Sequence, residues 1–513
     1  TFCQPRSLHS YCLQMPAKAR LGGLCRGLLQ GPAAGGLRPT SEVCRVKRGD
    51  YAQLSDSHLS QFERLLDRGR VITDQAELEA YNIDWFRTLR GSGKVVLKPR
   101  STEEVSAILK FCYDENLAVV PQGGNTGVLG GATPVFDEVI LSTSLMNKII
   151  KINDIPGSIV CEAGCVLETL DSALAEHGLM MPHDLGAKGS CQIGGNISTN
   201  AGGLRFLRYG SLQANTLGLV AVKADGTVVD CMNTLKKDNT GYHLKHLFIG
   251  SEGTLGVVTE VAIQCPPRPQ SATLAFLGMS SFEEALKTFR LARTMLSEIL
   301  SSCEVIDADS LRLTTDILQL RSPMSEHAFY LLIEAAGSNQ DHDEEKLNTF
   351  LETAMRQGSI SDGLVTSEPS KMKDLWQLRE RIPEAMFKNS YVYLYDISLP
   401  HENYYSIVPV LRERLKGSEA FAVTGFGHLG DGNLHLNICS PRFSPDLLAQ
   451  LEPFIFEWIS ERGGSVSAEH GIGFTKTQFL KYTKSEAAIR TMGQVKRLMD
   501  PRGILNPYKV LPQ

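Results

Sequence analysis

At 513 residues the chain is longer than one ordinary hydrophobic core organises, and an apolar content of 42% is enough to fill two or more. No apolar run approaches the roughly 20 residues that span a bilayer, and a formal net charge of -5 gives no basis for nucleic-acid binding. The 12 cysteines are scattered from Cys3 to Cys439 without CxxC spacing, the pattern of reduced thiols in an intracellular compartment, and the nearest pair, Cys161 and Cys165, reads as packed core.

Before Glu42 the chain carries Arg6, Lys18, Arg20, Arg26 and Arg38 and no acid, with Ser, Leu, Ala and Gly between them. That make-up predicts a mitochondrial transit peptide or disordered leader, placed over 1–48. A helical segment over 49–89 follows, with short helices at 60–66 and 75–81. Lys94 to Pro99 reads as a strand, and Ser101-Thr102-Glu103-Glu104 opens an amphipathic helix capped by Ser101 or Thr102.

The apolar strand Ala118-Val119-Val120 runs directly into Pro121-Gln122-Gly123-Gly124-Asn125-Thr126-Gly127. A sharp Gly-rich turn exposes backbone N–H groups able to cradle a pyrophosphate, although these residues alone also fit a surface loop. A second such segment, Gly186 to Gly203, contains Gly189, Ser190, Gly194, Gly195 and Asn200, and a third runs from Gly250 to Gly256 through Gly253. Three backbone-exposing stretches suit one long, doubly charged ligand.

Strands at 139–141 and 158–161, a helix at 166–176 and a hairpin turning at Asp225-Gly226 complete an α/β region over 90–269. Cys265-Pro-Pro-Arg-Pro269 is the best boundary. Beyond it, strand 272–277, helix 282–296, strand 329–334 and helix 344–357 predict an antiparallel sheet covered on one face, a cap over 270–470 that leaves 471–513 as a C-terminal segment.

Gly425-Phe-Gly427-His428-Leu-Gly430 matches GxGxxG, but Asn433-Leu-His435-Leu-Asn437 then alternates as a half-buried strand, whereas a dinucleotide fingerprint must open a helix. Alternation puts Asn433, His435 and Asn437 on one face, with His428 in the turn before it. Two imidazoles near one strand end could ligate a transition metal, and Glu469, in Ala468-Glu469-His470-Gly471, could complete the set; by spacing alone, ordinary hydrogen-bonded polar residues fit as well. Arg379 lies on a helix, Leu375 to Arg381, where its fork suits the carboxylate of an acid substrate; by sequence alone a surface pairing with Glu384 fits better.

From about Val95 to Pro269 the three Gly-rich segments resemble the flavin-binding domain of the vanillyl-alcohol oxidase and p-cresol methylhydroxylase superfamily. The resemblance implies an α+β fold, with a two-subdomain FAD-binding domain and a ferredoxin-like substrate (cap) domain. It implies FAD contacts from Pro121, Gly123, Gly124, Asn125, Thr126, Gly127, Gly189, Ser190, Gly194, Gly195, Asn200, Gly203, Gly253, Gly256, Val257 and Asn506. Asn125 stands where members with covalent flavin often carry His, so non-covalent FAD is expected.

Gly427 to His435, Ala468 to Gly471 and Asp500-Pro-Arg-Gly-Ile-Leu-Asn506-Pro507 are similar, nearly residue for residue, to the flavin dehydrogenases of D-2-hydroxy acids. This resemblance implies zinc on His428, His435 and Glu469, His470 as base, and substrate binding by Arg379, Asn437 and His470. It implies oxidation of D-2-hydroxyglutarate to 2-oxoglutarate by hydride transfer to flavin in the mitochondrial matrix, with electron transfer flavoprotein as acceptor. A D-lactate or broader D-2-hydroxy-acid dehydrogenase of the same fold, or a non-catalytic flavin- or metal-binding protein, is the alternative. Pro383 and Leu394 depart from the Thr and Lys that relatives often carry there, which bears on the preference for a second carboxylate.

Overall fold

In the computed structural model, residues 37–44 and 46–512 are described; the expected leader lies outside them over 1–36. Its remaining described residues, 37–44 and 46–48, belong to the fold. Arg38–Pro39 pairs in parallel with Leu89–Arg90, buried Thr40 donates to the Val135 carbonyl at 2.9 Å, and Arg48 pairs with Asp137 at 2.6 Å. The folded chain therefore starts before residue 49.

A four-stranded sheet runs in the order Val71–Ile72, Val96–Leu97, Val139–Ser142, Val119–Gln122, its last three strands parallel. Ser101 caps the helix Thr102–Asp114, which buries Val105, Ile108, Leu109 and Cys112 at helical spacing against Leu97, Val119 and Leu141. The end of the chain returns to this sheet: Ile504 O accepts from Val119 N, and Asn506 N donates to Val119 O at 2.7 Å.

The second sheet is antiparallel, in the order Val228–Cys231, Thr216–Val222, Val257–Gln264, Ser158–Glu162, Ile149–Asn153. Its hairpin turns at Asp225-Gly226 as expected, with Gly226 at φ +84° where a side chain would be strained. Cys161 and Cys165 are free and buried in its core.

The cap sheet has seven antiparallel strands, in the order Asp362–Thr366, Ser271–Met279, Phe329–Gly337, Leu300–Asp307, Ala422–His428, Asn433–Ser440, Tyr391–Ser398. It is covered on both faces, where one was expected. Ala275, Leu277, Cys303, Leu434 and Leu436 pack under helices Phe282–Met295, Gln340–Arg356 and Ile407–Arg414. On the other side Leu274, Phe276, Ile306 and Cys439 pack with Leu311, Leu375, Leu378 and Ile382 of helices Ala308–Leu318, Pro369–Glu380 and Ile382–Asn389. The strand Leu300–Asp307 is buried along its whole length but was hidden in the sequence, because Ser301, Ser302 and Glu304 interrupt its apolar run.

Among the described residues, no helix is long and apolar enough to cross a membrane.

Candidate active site

The second face of the cap sheet changes character along its strands. Register sets Glu304 opposite His428, His428 opposite Asn433, Phe426 opposite His435, Asp396 opposite His435, and both Thr424 and Leu394 opposite Asn437. Strand alternation therefore gathers Glu304, His428, His435, Asn437 and Asp396 on one surface. His428 is the last residue of a strand, not a turn residue, because the tight hairpin through Gly430 and Gly432 begins only after it.

That surface walls a cavity of about 560 Å³ whose other walls are the three Gly-rich segments. Pro121, Gly123, Gly124, Asn125, Thr126, Gly127, Gly194, Gly195, Gly203, Gly253, Gly256 and Val257 line it, together with Arg379, Asn437, His428, His435, Glu469 and His470. At Gly124 a Cβ would overlap the Ser190 carbonyl, and at Gly203, with φ +93°, the Asp184 carbonyl; Gly127 and Gly195 face open space. Close backbone approach on one side and room on the other make a cradle for an extended ligand, so these residues fit a dinucleotide. Asn125 turns its amide to the Ile83 carbonyl at 2.8 Å and carries no nucleophile for a covalent link.

Four of the expected contacts stand off the cavity wall. Gly189 is exposed, and Ser190 backs Gly124 through its carbonyl. Asn200 ends the helix Ile193–Thr199 in a left-handed turn, with its side chain accepting from Gln213 N. Asn506 sits behind the wall and donates to the carbonyls of Gly131 and Glu252, holding two of the loops. Their place depends on loop paths that local pattern does not contain.

Glu469 is the centre of the polar end. Its Oε2 accepts the N–H of Gly203 at 2.9 Å, while Oε1 lies 3.7 Å from His428 Nε2, 3.7 Å from His435 Nε2 and 3.8 Å from His470 Nε2. Metal bonds of roughly 2.0–2.2 Å would put tetrahedral ligand atoms about 3.4 Å apart, so this donor set fits a divalent cation. Mutual distance within 4.8 Å groups Asp396 with His435, Glu469 and His470 and leaves out His428. Asp396, however, is already saturated: Oδ2 accepts the backbone N–H groups of Ala468, Glu469 and His470, and Oδ1 accepts Asn433 Nδ2 at 2.8 Å. It holds the loop and faces the Nδ1 atoms of His435 and His470 at 3.8 and 3.9 Å.

Glu304 plays the matching part for His428, accepting from Nδ1 at 2.8 Å and leaving Nε2 free to ligate. Arg379 is buried, not a surface residue, because its helix packs on the cap sheet. Its Nε donates to the same Glu304 at 3.0 Å, and its guanidinium lies 4.7 Å over Phe426. Nη2 is buried 2.9 Å from the same carboxylate without hydrogen-bond alignment, and the residue lines the cavity. Arg381, at the break between the two helices, is the residue that takes Glu384.

Charges follow this wiring. Against its burial, Glu304 and Glu469 hold His428 well above its ordinary value, while burial, reinforced by charge on His428, pushes His435 down to about 3. His428 in turn holds buried Glu469 down to about 2. His470 has the most open side chain of the three, 24% exposed against 9% and 11%. Glu252, which accepts from Ile472 N and Gly473 N, ties the third Gly-rich segment to the loop after His470.

Glu304, Asp396 and Glu252 were not singled out in the sequence. A single acid within an otherwise aromatic and apolar strand was the available signal for Asp396.

Residues 93–232 match the family described as FAD binding domain, and residues 268–510 the family described as FAD linked oxidases, C-terminal domain. The chain is similar to the mitochondrial D-2-hydroxyglutarate dehydrogenase of Bos taurus, 56% identical over 473 residues that cover 92% of this chain and 87% of the relative. It is also similar to that of Rattus norvegicus, 51% identical over 512 residues covering 100% and 95%. The fold is shared with substrate-bound p-cresol methylhydroxylase, with a TM-score of 0.70 at 15% identity, covering 88% of this chain and 96% of that one. With its two matched families and such full-length identity, the chain belongs to the D-2-hydroxyglutarate dehydrogenase family of FAD-linked oxidoreductases.

Proposed function

We propose that this protein oxidises a D-2-hydroxy acid, with D-2-hydroxyglutarate as the first candidate, to the 2-oxo acid in the mitochondrial matrix. The observation that carries the reading is that Arg379, Asn437 and His470 share one cavity with the three flavin-type loops. Bound FAD would supply the two-electron acceptor for the α-hydrogen, and a divalent cation, zinc by the donor set, a Lewis acid at the hydroxyl.

His428, His435 and Glu469 hold the cation, two of them fixed from behind by Glu304 and Gly203. Arg379 offers its guanidinium charge to the substrate's α-carboxylate, and Asn437 a side-chain amide in the same wall. His470, the most exposed imidazole, takes the hydroxyl proton on Nε2. The chain from 90 to 269 carries the flavin, 270–470 the substrate, and 471–513 returns to brace the flavin strand. Electron transfer flavoprotein is the proposed acceptor of the electrons.

Anaerobic bleaching of the bound flavin by a panel of D- and L-2-hydroxy acids tests the reading. Bleaching by the D series alone is expected, and no bleaching by any member would leave only a flavin- or metal-binding protein.

A further inference from the structure

Apart from its imidazoles, the cavity wall contains two basic side chains among the described residues, Arg379 and Arg381, against the carboxylates of Asp184, Glu252, Glu380, Glu384 and Glu469. Both cations are matched. Arg379 is paired with buried Glu304 through Nε and Nη2. Arg381 is held in a two-point fork by Glu384, Nε at 2.7 Å and Nη2 at 2.9 Å, and Glu384 lies in the same wall. Lys188, beside the second Gly-rich segment, is held by Asp184 of the wall at 3.1 Å.

The wall beside Asn437 is hydrocarbon. Leu394 is the register partner of Asn437 and is only half-buried, so its side chain reaches the cavity. Phe426 lies beneath Arg379, Pro383 closes the helix side, and Phe86 stacks at 4.0 Å on Phe387 of the same helix. A substrate anchored at Arg379 thus extends its side chain over Leu394, Phe426 and Pro383. A second carboxylate placed there loses water and finds no unpaired Lys or Arg among the described residues of that wall, whereas a methyl group gains burial.

We infer that this chain takes D-2-hydroxy monocarboxylates with a short hydrocarbon side chain at least as well as D-2-hydroxyglutarate, an inference that rests on the oxidation proposed above. The reaction is the same: the α-hydrogen leaves with its electron pair to bound FAD, the hydroxyl proton goes to His470, and a C=O bond forms.

The test compares D-2-hydroxyglutarate with D-2-hydroxypentanoate, which has a methyl group in place of the distal carboxylate, on the FAD-loaded protein. The ratio of kcat/KM for hydroxyglutarate over hydroxypentanoate is expected at or below one, and a ratio above one overturns the inference. Leu394→Lys places an ammonium beside Asn437 and should raise that ratio roughly 10- to 150-fold, the worth of one charged hydrogen bond. Binding of 2-oxopentanoate and 2-oxoglutarate, followed by quenching of tryptophan fluorescence with Trp85 in the wall, gives a readout independent of turnover and of that variant's folding. Weaker binding of 2-oxopentanoate than of 2-oxoglutarate would also overturn the inference. Binding of both with no turnover of any D-2-hydroxy acid would instead remove the oxidation and leave the cavity's preference standing.

Discussion

Asp396 accepts the backbone N–H of His470 on Oδ2 at 2.9 Å across 74 residues of chain, and the same oxygen takes the N–H groups of Ala468 and Glu469. One fully buried carboxylate thereby fixes the loop that carries both the central acid and the open imidazole. Asp396→Asn keeps an oxygen acceptor and removes the charge. The expected loss is about 1.5–3 kcal/mol of stability, the worth of hydrogen bonds to a charged group, with turnover falling more than flavin content. A denaturant midpoint equal to wild type would mean that the loop is held by other contacts.

His428 and His435 lie on cap-sheet strands, apart from the Gly-rich loops that contact flavin in the proposed arrangement, while Glu469 touches the second of those loops at Gly203 N. His428→Ala or His435→Ala should therefore empty the metal site while FAD stays bound, read as metal by mass spectrometry and flavin by absorbance on the same sample. Glu304→Gln, which weakens the hold on His428 Nδ1, should lower metal affinity about 10- to 100-fold. Full metal content in both alanine variants would end this assignment.

His470 stands as close to Glu469 as the two proposed ligands do, so its role is separated by experiment through metal content. As a general base its removal costs about 10²- to 10⁴-fold in rate, and His470→Ala should show that loss with metal retained. Metal lost together with activity would make it a fourth ligand.

Gly124 has no room for a Cβ because the Ser190 carbonyl occupies that space. Gly124→Ala must push the first and second Gly-rich segments apart, at about 1–3 kcal/mol for overpacking, and should purify with little flavin. In the wild type, acid precipitation should release the flavin into the supernatant, since Asn125 offers no covalent link. Flavin that stays in the washed pellet would contradict non-covalent binding.

Some of this site was legible without coordinates. Alternation along Asn433 to Asn437 placed three polar side chains on one face, because a strand's side chains alternate whatever surrounds them. Ser101 as a cap and Asp225-Gly226 as a turn are likewise set by backbone geometry within a few residues. Pairing is a different matter. Glu304 acquires its role only where its strand lies beside Ala422–His428, and Asp396 only where the loop from Ala468 to His470 crosses its strand. Arg379 looked more like a surface residue than a buried one until its helix packed on the cap sheet and brought Glu304, 75 residues away, to its Nε. Local pattern fixes which way a side chain points along its own element, but which charges meet is decided by which strands and helices become neighbours, and that follows from burying the apolar surface of the whole sheet.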